Sequence, residues 1–464
     1  MAATGSSREA HASARPGSHD ASAGRIGDAS WEPSSSRYPW RPRGRREFLS
    51  QGLTAAAALA SFPLPSALAQ AAPPGLSDLR TLYPDLERHF LFEYYPWYGG
   101  PPDYEHWDYL GRHPPLDLST RYVPKLGPYD VRSVPTLEQH ARWIREAGIG
   151  GVALSWWGRE SWQDRAVPLI LDVLHAHDLK ATFALEPYAD DRARYYASDV
   201  LYLLREYGEK RHWDSFLLLR NASGRIGPVF KSFRTVLPES STNCLGETHE
   251  VSDYTPDSFW RRQTDSLRDT LKADFDQVTL IADSLAFGRA ADAGFSGIGT
   301  YDNFIPPTDY RGYAEGASRA GLLFSFHVNP GYDQIEPLET KDPCYAPRAF
   351  APPTPGLDFV TSDGRERAAT ASAGRIRDSW NTALALQLDP ELANARAGFL
   401  LVYVNSFNEW HEGHAFEPMK DAAELTPDER ALGYRNPTNG SYRLQALAQL
   451  QRQVLQPQPT PRFP

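Results

Sequence analysis

The stretch "GFLLVYVNSFNEWHEG", residues 398–413, joins a continuous apolar run to a cluster of acidic and aromatic side chains. Short, continuously apolar runs are typical of strands that a parallel sheet buries on both faces. Glu409 and Glu412 follow the run, three residues apart, with Trp410 and His411 between them. In parallel α/β folds, functional side chains gather beyond the carboxyl ends of the strands. The stretch therefore predicts a buried strand that ends at a functional site.

Seven further apolar runs precede this one and alternate with helix-like segments. The helix-like segments include 135–148, 165–178 and 255–274. The first has Pro135 at its start and Gly148 at its end, as helix capping favours. No glycine-rich phosphate loop follows the first run, which disfavours a doubly wound sheet. We therefore predict an α/β fold, a single (β/α)8 TIM barrel with enlarged βα loops. The seven runs are 89–97, 151–157, 180–188, 228–233, 278–284, 295–303 and 322–331.

The N-terminal region has the pattern of an export signal. Arg45 and Arg46 precede an apolar run and the small-residue site that ends at Ala69, as in twin-arginine signals. A membrane anchor is the alternative, but the run is shorter than the roughly 20 residues that a spanning helix needs. We expect a periplasmic or secreted protein. The predicted organisation is a disordered region with the signal peptide at 1–69, a linker at 70–84, the catalytic barrel at 85–456 and a tail at 457–464.

Composition restricts the partners of the chain. Its 464 residues carry a net charge of −10, and removal of 1–69 would make the rest more acidic, so binding to a phosphate backbone is disfavoured. We expect no nucleic-acid partner, no membrane span and a monomer. Cys244 and Cys344 fit no zinc cluster or disulfide framework. They either pair in an oxidising compartment or remain separate thiols in loops.

Polar and aromatic residues stand at seven of the eight predicted strand ends. They combine carboxylates with flat rings and include no lysine and no nucleophilic serine elbow. Carboxylates transfer protons, and aromatic faces stack on sugar rings, so glycoside hydrolysis without a cofactor or metal is the reaction class that fits. An oligo- or polysaccharide is the expected substrate. The residues are Tyr95, Trp97, Trp156, Trp157, Glu186, Tyr188, Asp283, Tyr301, Asp302, His327, Asn329, Asn408 and Glu409.

Seven motifs are distributed over roughly 320 residues of the chain. They are "YYPWYGG" (94–100), "GRHPPLDLSTRYVPKLGPYD" (111–130), "GVALSWW" (151–157), "FALEPY" (183–188), "GIGTYDNF" (297–304), "NPGY" (329–332) and "SFNEWHEG" (406–413). In these motifs and their order, the sequence resembles glycoside hydrolase family 99, which contains endo-α-1,2-mannosidases and endo-α-1,2-mannanases. "SFNEWHEG" is the most specific of the motifs.

The resemblance implies that Glu409 and Glu412 are the catalytic carboxylates. In the family mechanism, the residue at Glu409 is the general base for the substrate's own 2-hydroxyl, which closes onto C1 as a 1,2-anhydro sugar. The residue at Glu412 protonates the leaving oxygen and later activates water. Close carboxylates also push one pKa upward, which helps one of them to remain an acid near neutral pH.

The same resemblance implies further substrate-binding residues. Glu186 corresponds to an acid that binds sugar hydroxyls beside the cleaved bond, and Tyr301 and Tyr95 correspond to tyrosines at the same site. Trp157 occupies a position where bacterial members of the family resemble mannan-cutting enzymes, whereas animal members tend to carry Tyr and accept a glucosylated mannose. The remaining candidates come from the strand end itself: Asn408, His411 as a hydroxyl or carboxylate partner, and Trp410, for which packing beneath the loop is favoured over lining the cleft.

Two features leave the substrate open. After the fourth strand, the family usually has an aromatic run with a Tyr-Asp pair, whereas this chain has "PVFKSFRTVLPESSTNC" (228–244). The loops 232–254 and 333–365 are also long. The same strand ends would also suit a related barrel hydrolase that cuts another surface polysaccharide. Two rival classes are a metal hydrolase built on "HEGH" (411–414), whose second His is one residue early for a zincin, and a non-catalytic glycan-binding barrel.

Overall fold

A computed structural model describes residues 79–301 and 303–455. The predicted signal peptide, most of the linker, Asp302 and the tail lie outside these residues. Each of the eight predicted apolar runs overlaps a strand, and the strands form one parallel sheet in the order β7-β6-β5-β4-β3-β2-β1-β8. Their bounds are Phe90–Tyr94 (β1), Gly151–Trp156 (β2), Lys180–Leu185 (β3), Ile226–Ser232 (β4), Thr279–Ala282 (β5), Gly297–Ile298 (β6), Leu323–Phe324 (β7) and Val402–Val404 (β8).

The sheet curls so that its two edges approach each other. Val328, four residues beyond β7, pairs in parallel with Val404 of β8. This bridge links the segment after β7 to β8, the neighbour of β1. The order of the strands and the curl confirm the predicted (β/α)8 barrel.

Helices follow most of the strands and cover the outside of the sheet. The three helices predicted most clearly are found at Val134–Glu146, Trp162–Ala176 and Asp257–Leu271. Pro135 lies in the first turn of its helix, and Gly148 has a φ of 75°, as its place after the helix end requires. The other α-helices are Leu79–Leu82, Tyr196–Leu203, Phe287–Asp292, Tyr310–Arg319, Ser362–Gln387, Ala393–Ala397, Pro427–Ala431 and Tyr442–Leu455.

Several short elements lie in the connections. A strand at Leu218–Arg220 pairs antiparallel with β4, and two strands at Ser240–Thr242 and Thr248–Glu250 form a hairpin. A π-helix occupies Leu204–Gly208. The 3-10 helices are Leu86–His89, Tyr109–Gly111, Arg192–Arg194, Glu209–Arg211, Pro307–Asp309 and Ala422–Glu424.

The hydrophobic core has two parts. The larger packs the outer face of the sheet against the helices, with Phe92, Phe183 and Trp380 among its buried members. The smaller fills the barrel interior with residues such as Leu91 and Ile281. Apolar packing of this kind contributes about 25 cal/mol per Å² buried and fixes the strands whose ends carry the site.

Long loops follow β1, β4 and β7, and the sequence predicts those after β4 and β7. Cys244, beside the hairpin after β4, forms a disulfide with Cys344 in the loop after β7. The pairing resolves the alternative that the sequence leaves open. The bridge ties together two loops that start from the same end of the barrel. Within 79–301 and 303–455, no helix is long and apolar enough to cross a bilayer.

Candidate active site

The loop after β8 aims two carboxylates into the barrel mouth. The Glu409 amide donates to Ser406 Oγ at 2.7 Å, which fixes the start of the loop. Gly413 closes the turn with a φ of 68°, and a Cβ there would come within 2.2 Å of the Asp333 carbonyl oxygen. Only glycine fits this position without strain. Glu409 and Glu412 therefore enter the same cleft from one rigid loop.

The cleft has a volume of about 440 Å³ and opens at the carboxyl ends of the strands. Seven of the nine predicted site residues line the cleft, and the catalytic pair is among them. The lining consists of Glu93, Tyr95, Trp97, His106, Tyr109, Ala153, Ser155, Trp157, Ala184, Glu186, Lys231, Phe233, Tyr301, Gln334, Glu409, His411 and Glu412.

Glu409 is the more deeply buried of the two acids, with 3% of its surface exposed. Burial raises the pKa of Glu409 well above its usual value, and the negative charge of Glu412 adds to the rise. The backbone N–H of His411 donates to Glu409 Oε1 at 2.9 Å. His411 Nε2 lies 2.8 Å from the His106 carbonyl oxygen, so it carries the hydrogen and leaves Nδ1 as an acceptor. Nδ1 lies 3.4 Å from Glu409 Oε1, a neighbour that suits a protonated carboxyl.

Glu412 has the opposite electrostatic environment. The Tyr301 hydroxyl donates to Glu412 Oε2 at 2.6 Å, and His414 Nε2 lies 3.0 Å from the same oxygen. Burial disfavours the Glu412 carboxylate, but hydrogen bonds from His414, Tyr301 and Tyr332 outweigh it and lower its pKa. In the free protein, the pair therefore holds one proton on Glu409 and one negative charge on Glu412.

A hydrogen-bonded chain connects Trp157 to Glu186 along the β2 side of the cleft. Trp157 Nε1 donates to Ser155 Oγ at 3.1 Å, and Ser155 Oγ donates to Glu186 Oε1 at 2.9 Å. Burial raises the pKa of Glu186 to about 7, and the charge of Glu93 contributes to the rise. Glu186 can therefore accept or donate a hydrogen bond to a sugar hydroxyl near neutral pH.

Aromatic rings form the wall beside this chain. Trp97 stacks on His106 at 4.9 Å between ring centroids, and it lies 6.2 Å from Trp157 and 4.7 Å from Tyr95. Such flat, largely apolar surfaces are suited to the C–H faces of sugar rings. The wall lies on the β1–β2 side of the cleft.

Two predicted binding residues lie behind the cleft. Asn408 is fully buried, accepts the Tyr95 amide at 2.8 Å and donates to the Tyr95 carbonyl at 3.0 Å. Trp410 is also fully buried, and its Nε1 donates to Glu417 Oε2 at 3.0 Å. Neither side chain lines the cleft, so substrate contact by Asn408 or Trp410 does not fit this structure. Asn408 joins the ends of β1 and β8, and Trp410 packs beneath the loop.

The cleft also contains a lysine, which the list of residues at the strand ends does not include. Lys231, inside β4, forms a buried ion pair with Glu93 of β1, and both side chains line the cleft. Sequence analysis that considered only strand ends missed them. Their signal was a charged residue within an otherwise apolar strand, in "FLFEY" (90–94) and "PVFKS" (228–232).

His414 is another residue that sequence analysis left without a role in the reaction. It is fully buried, with Nδ1 3.1 Å from Ser406 Oγ and Nε2 facing Glu412. His411 faces a backbone carbonyl instead, so the two imidazoles of "HEGH" serve different partners. Among the described residues, no group of three or more His, Cys, Asp and Glu side chains has the arrangement to hold a metal ion.

The family model for glycosyl hydrolase family 99 matches residues 85–342. The chain belongs to glycosyl hydrolase family 99. The match covers more than half of the chain and confirms the resemblance. The family 99 fold and its relatives make the protein a glycoside hydrolase.

Curated family 99 relatives extend the similarity across the barrel. The human glycoprotein endo-alpha-1,2-mannosidase-like protein is 29% identical over 397 residues, which covers 78% of this chain and 74% of that protein. The mouse glycoprotein endo-alpha-1,2-mannosidase is 26% identical over 380 residues, covering 74% and 70%. The GH99 endo-alpha-mannosidase structure from Bacteroides thetaiotaomicron matches with a TM-score of 0.57 at 20% identity, covering 80% and 99% of the two chains. That likeness supports the barrel fold.

Proposed function

We propose that the protein is a retaining, endo-acting hydrolase of α-1,2-mannosidic linkages in mannan or mannose-rich glycans. The observation that carries the proposal is a pair of carboxyl groups, Glu409 and Glu412, that line one cleft with pKa values shifted in opposite directions. Such a pair shares one proton, so one carboxyl group can act as an acid while the other acts as a base. The family membership and the names of the relatives support a mannosidic substrate.

In the first proposed step, Glu409 takes the proton of the substrate's 2-hydroxyl. The 2-oxygen forms a bond to C1 while the bond between C1 and the leaving oxygen breaks, and Glu412 gives its proton to that oxygen. In the second step, Glu412 takes a proton from water and the water oxygen bonds to C1. The C1–O2 bond of the anhydro sugar then breaks, and Glu409 returns its proton to the 2-oxygen. The anomeric configuration is retained.

The different exposure of the two carboxyl groups supports these roles. The Glu412 side chain is 26% exposed, whereas that of Glu409 is 3% exposed. The residue that first protonates a departing chain and then receives water should be the more accessible one. Because the free pair carries its proton on Glu409, loading of the substrate must move that proton to Glu412. A raised pKa makes Glu409 the stronger base once it is ionised.

The aromatic wall and the Trp157–Ser155–Glu186 chain are proposed to bind the mannose next to the cleaved unit. Trp157 offers a broad apolar face, and Glu186 can pair with hydroxyls. Tyr95 and Tyr301 are proposed to contact the sugar at the cleaved bond, since both line the cleft. His411 is proposed to position Glu409 through its backbone N–H and to support Trp97 of the aromatic wall through its ring.

The protein is further proposed to act after twin-arginine export to the periplasm or beyond. Arg45, Arg46 and the cleavage site at Ala69 support this proposal. A disulfide between two loops of the barrel is consistent with an oxidising compartment. A monomer is proposed for the mature enzyme.

The test is incubation of the mature protein with fungal α-mannan and a panel of bacterial surface polysaccharides, followed by profiling of the released oligosaccharides. We expect mannose-containing oligosaccharides from α-mannan, and release by the Glu412→Gln variant should be about 10²–10⁴-fold slower. Release only from another polysaccharide would favour the related hydrolase. Binding without turnover would favour a glycan-binding barrel, and loss of activity after EDTA dialysis would favour the metal hydrolase.

A further inference from the structure

A buried ion pair crosses the barrel interior below the proposed catalytic pair. Glu93 is the fourth residue of β1 and Lys231 the sixth of β4, so both lie before the strand ends that carry the other site residues. β1 and β4 are not neighbours in the sheet, and the pair therefore spans the barrel. Glu93 is 3% and Lys231 1% exposed, and both line the cleft. We call these two residues the cleft floor.

Some polar atoms of the cleft floor have no hydrogen-bond partner among the described residues. Glu93 Oε1 contacts Lys231 Nζ and His327 Nε2, but Glu93 Oε2 is buried without a hydrogen-bond partner among the described residues. Burial and the nearby Lys231 charge lower the pKa of His327, so its ring is neutral. A neutral Nε2 either donates to Glu93 or accepts from Lys231, but not both. The Lys231 ammonium has three N–H groups, and Glu93 and His327 accept at most two of them. At least one N–H is therefore available to another acceptor.

Unused charged groups at this depth are costly. An unsatisfied buried polar group costs about 1–3 kcal/mol, and more when it is charged. Glu93 stays ionised in spite of its burial. Desolvation alone would raise the pKa of Glu93, but Lys231 and His327 outweigh it and lower the pKa to about 2. A group that donates to Glu93 and accepts from Lys231 would satisfy both residues.

Sugar hydroxyls have this chemistry, since each is both donor and acceptor. We propose that the cleft floor binds one hydroxyl or two adjacent hydroxyls of the sugar that enters the cleft most deeply, and so selects that sugar. The inference rests on the proposed function for the identity of the sugar as mannose. Glu93, Lys231 and Glu186 all line the cleft, so the three side chains surround the same space.

The charge balance favours a neutral sugar over a carboxylated one. Lys231 is already neutralised by Glu93, and Glu412 adds a negative charge to the same cleft. A uronic acid would meet net repulsion, because its carboxylate would face these acids at a low local dielectric. The ligand class is thus a neutral hexose with free hydroxyls.

Binding of thio-linked α-1,2-mannobiose, which resists hydrolysis, tests the inference by calorimetry. Its 3-, 4- and 6-deoxy forms at the deeper sugar each lack one hydroxyl. For the wild-type protein, we expect at least one deoxy form to bind about 10–100-fold more weakly, as loss of a hydrogen bond to charged groups predicts. In Glu93→Gln/Lys231→Met, that penalty should fall below about threefold, because the double change removes both charges and avoids a lone buried ion.

The matched control is Lys420→Met/Glu429→Gln, which removes an ion pair of 2.7 Å outside the cleft lining. It should keep the wild-type penalties. Equal penalties in the wild type and the cleft-floor variant would overturn the inference, and so would the absence of binding to every sugar. If the variant does not fold, a crystal structure of the wild-type complex decides: a sugar oxygen within about 3.2 Å of Glu93 Oε2 or Lys231 Nζ supports the inference, and only water there overturns it.

Binding and turnover separate this inference from the proposed function. Selective binding without release from α-mannan would refute the proposed function and leave the cleft floor supported. Release of mannose-containing oligosaccharides, combined with equal deoxy-sugar penalties in the wild type and the cleft-floor variant, would support the proposed function and refute the cleft-floor inference.

Discussion

Replacement of His414 should move the acid limb of the pH profile of kcat/KM to higher pH. His414 Nε2 lies 3.0 Å from Glu412 Oε2, and its side chain is fully buried. A hydrogen bond to a charged group contributes about 1.5–3 kcal/mol, and one pKa unit corresponds to about 1.4 kcal/mol. His414→Met should therefore raise the pKa of Glu412 by about one to two units.

The sign follows from which carboxyl takes the second proton. Glu409 already holds one in the free protein, and the pKa of Glu412 is lowered, so the pair becomes doubly protonated only when Glu412 is titrated. A doubly protonated pair has no base, and activity falls on the acid side at that pKa. A higher pKa of Glu412 moves this fall upward.

Initial rates on a soluble α-1,2-mannoside between pH 3 and 8 measure the shift. His414→Gln keeps a donor and should shift the limb less than His414→Met. His249→Met serves as the control, since His249 is 61% exposed on the hairpin and should leave the limb unchanged. The reasoning is refuted if His414→Met is folded and active but has the wild-type acid limb.

Three further changes test separate parts of the structure. Cys244→Ser/Cys344→Ser should lower stability by about 2–4 kcal/mol in urea unfolding, because the bridge closes a loop with a sequence separation of 100 residues; an unchanged midpoint would contradict its structural role. Trp157→Tyr loses the bond to Ser155 and should narrow the preference for mannobiose over glucosyl-mannose release; faster glucosyl-mannose release by the wild type would contradict the assignment. Replacing Arg45 and Arg46 by Lys should hold the protein in the cytoplasm, and undiminished periplasmic activity would argue against twin-arginine export.

The barrel was predictable because each strand is a separate apolar run. Runs such as 151–157 and 398–404 are continuously apolar, which is typical of strands in a parallel sheet with helices outside it. Strand lengths were less predictable: β6 and β7 are two residues each, because their segments soon turn into the loops that carry Tyr301 and the Cys344 region. Pattern alone does not record where pairing stops.

The sequence predicted site residues that directly follow strand ends. It did not predict which side chains lie inside the barrel or behind the cleft. Glu186 and Tyr301 reach the cleft from the ends of β3 and β6, as position suggests. Asn408 is adjacent in sequence to Glu409 but lies behind the cleft, because its side chain bonds to both the N–H and the carbonyl of Tyr95. Lys231 was overlooked because its partner, Glu93, is brought to it only by closure of the barrel.

The most direct test of the central claim compares E412Q and E409Q on α-1,2-mannan and on the corresponding mannobiosyl fluoride. E412Q removes the proposed acid, which should cost about 10²–10⁴-fold on mannan. Fluoride needs little protonation to leave, so it should restore part of that rate. E409Q removes the base that drives the 2-hydroxyl onto C1, and it should stay inactive on both substrates while still binding oligosaccharide. Rescue of E409Q by fluoride, equal rescue of both variants, or near wild-type turnover of mannan by either one would contradict the assignment of the two carboxyl groups.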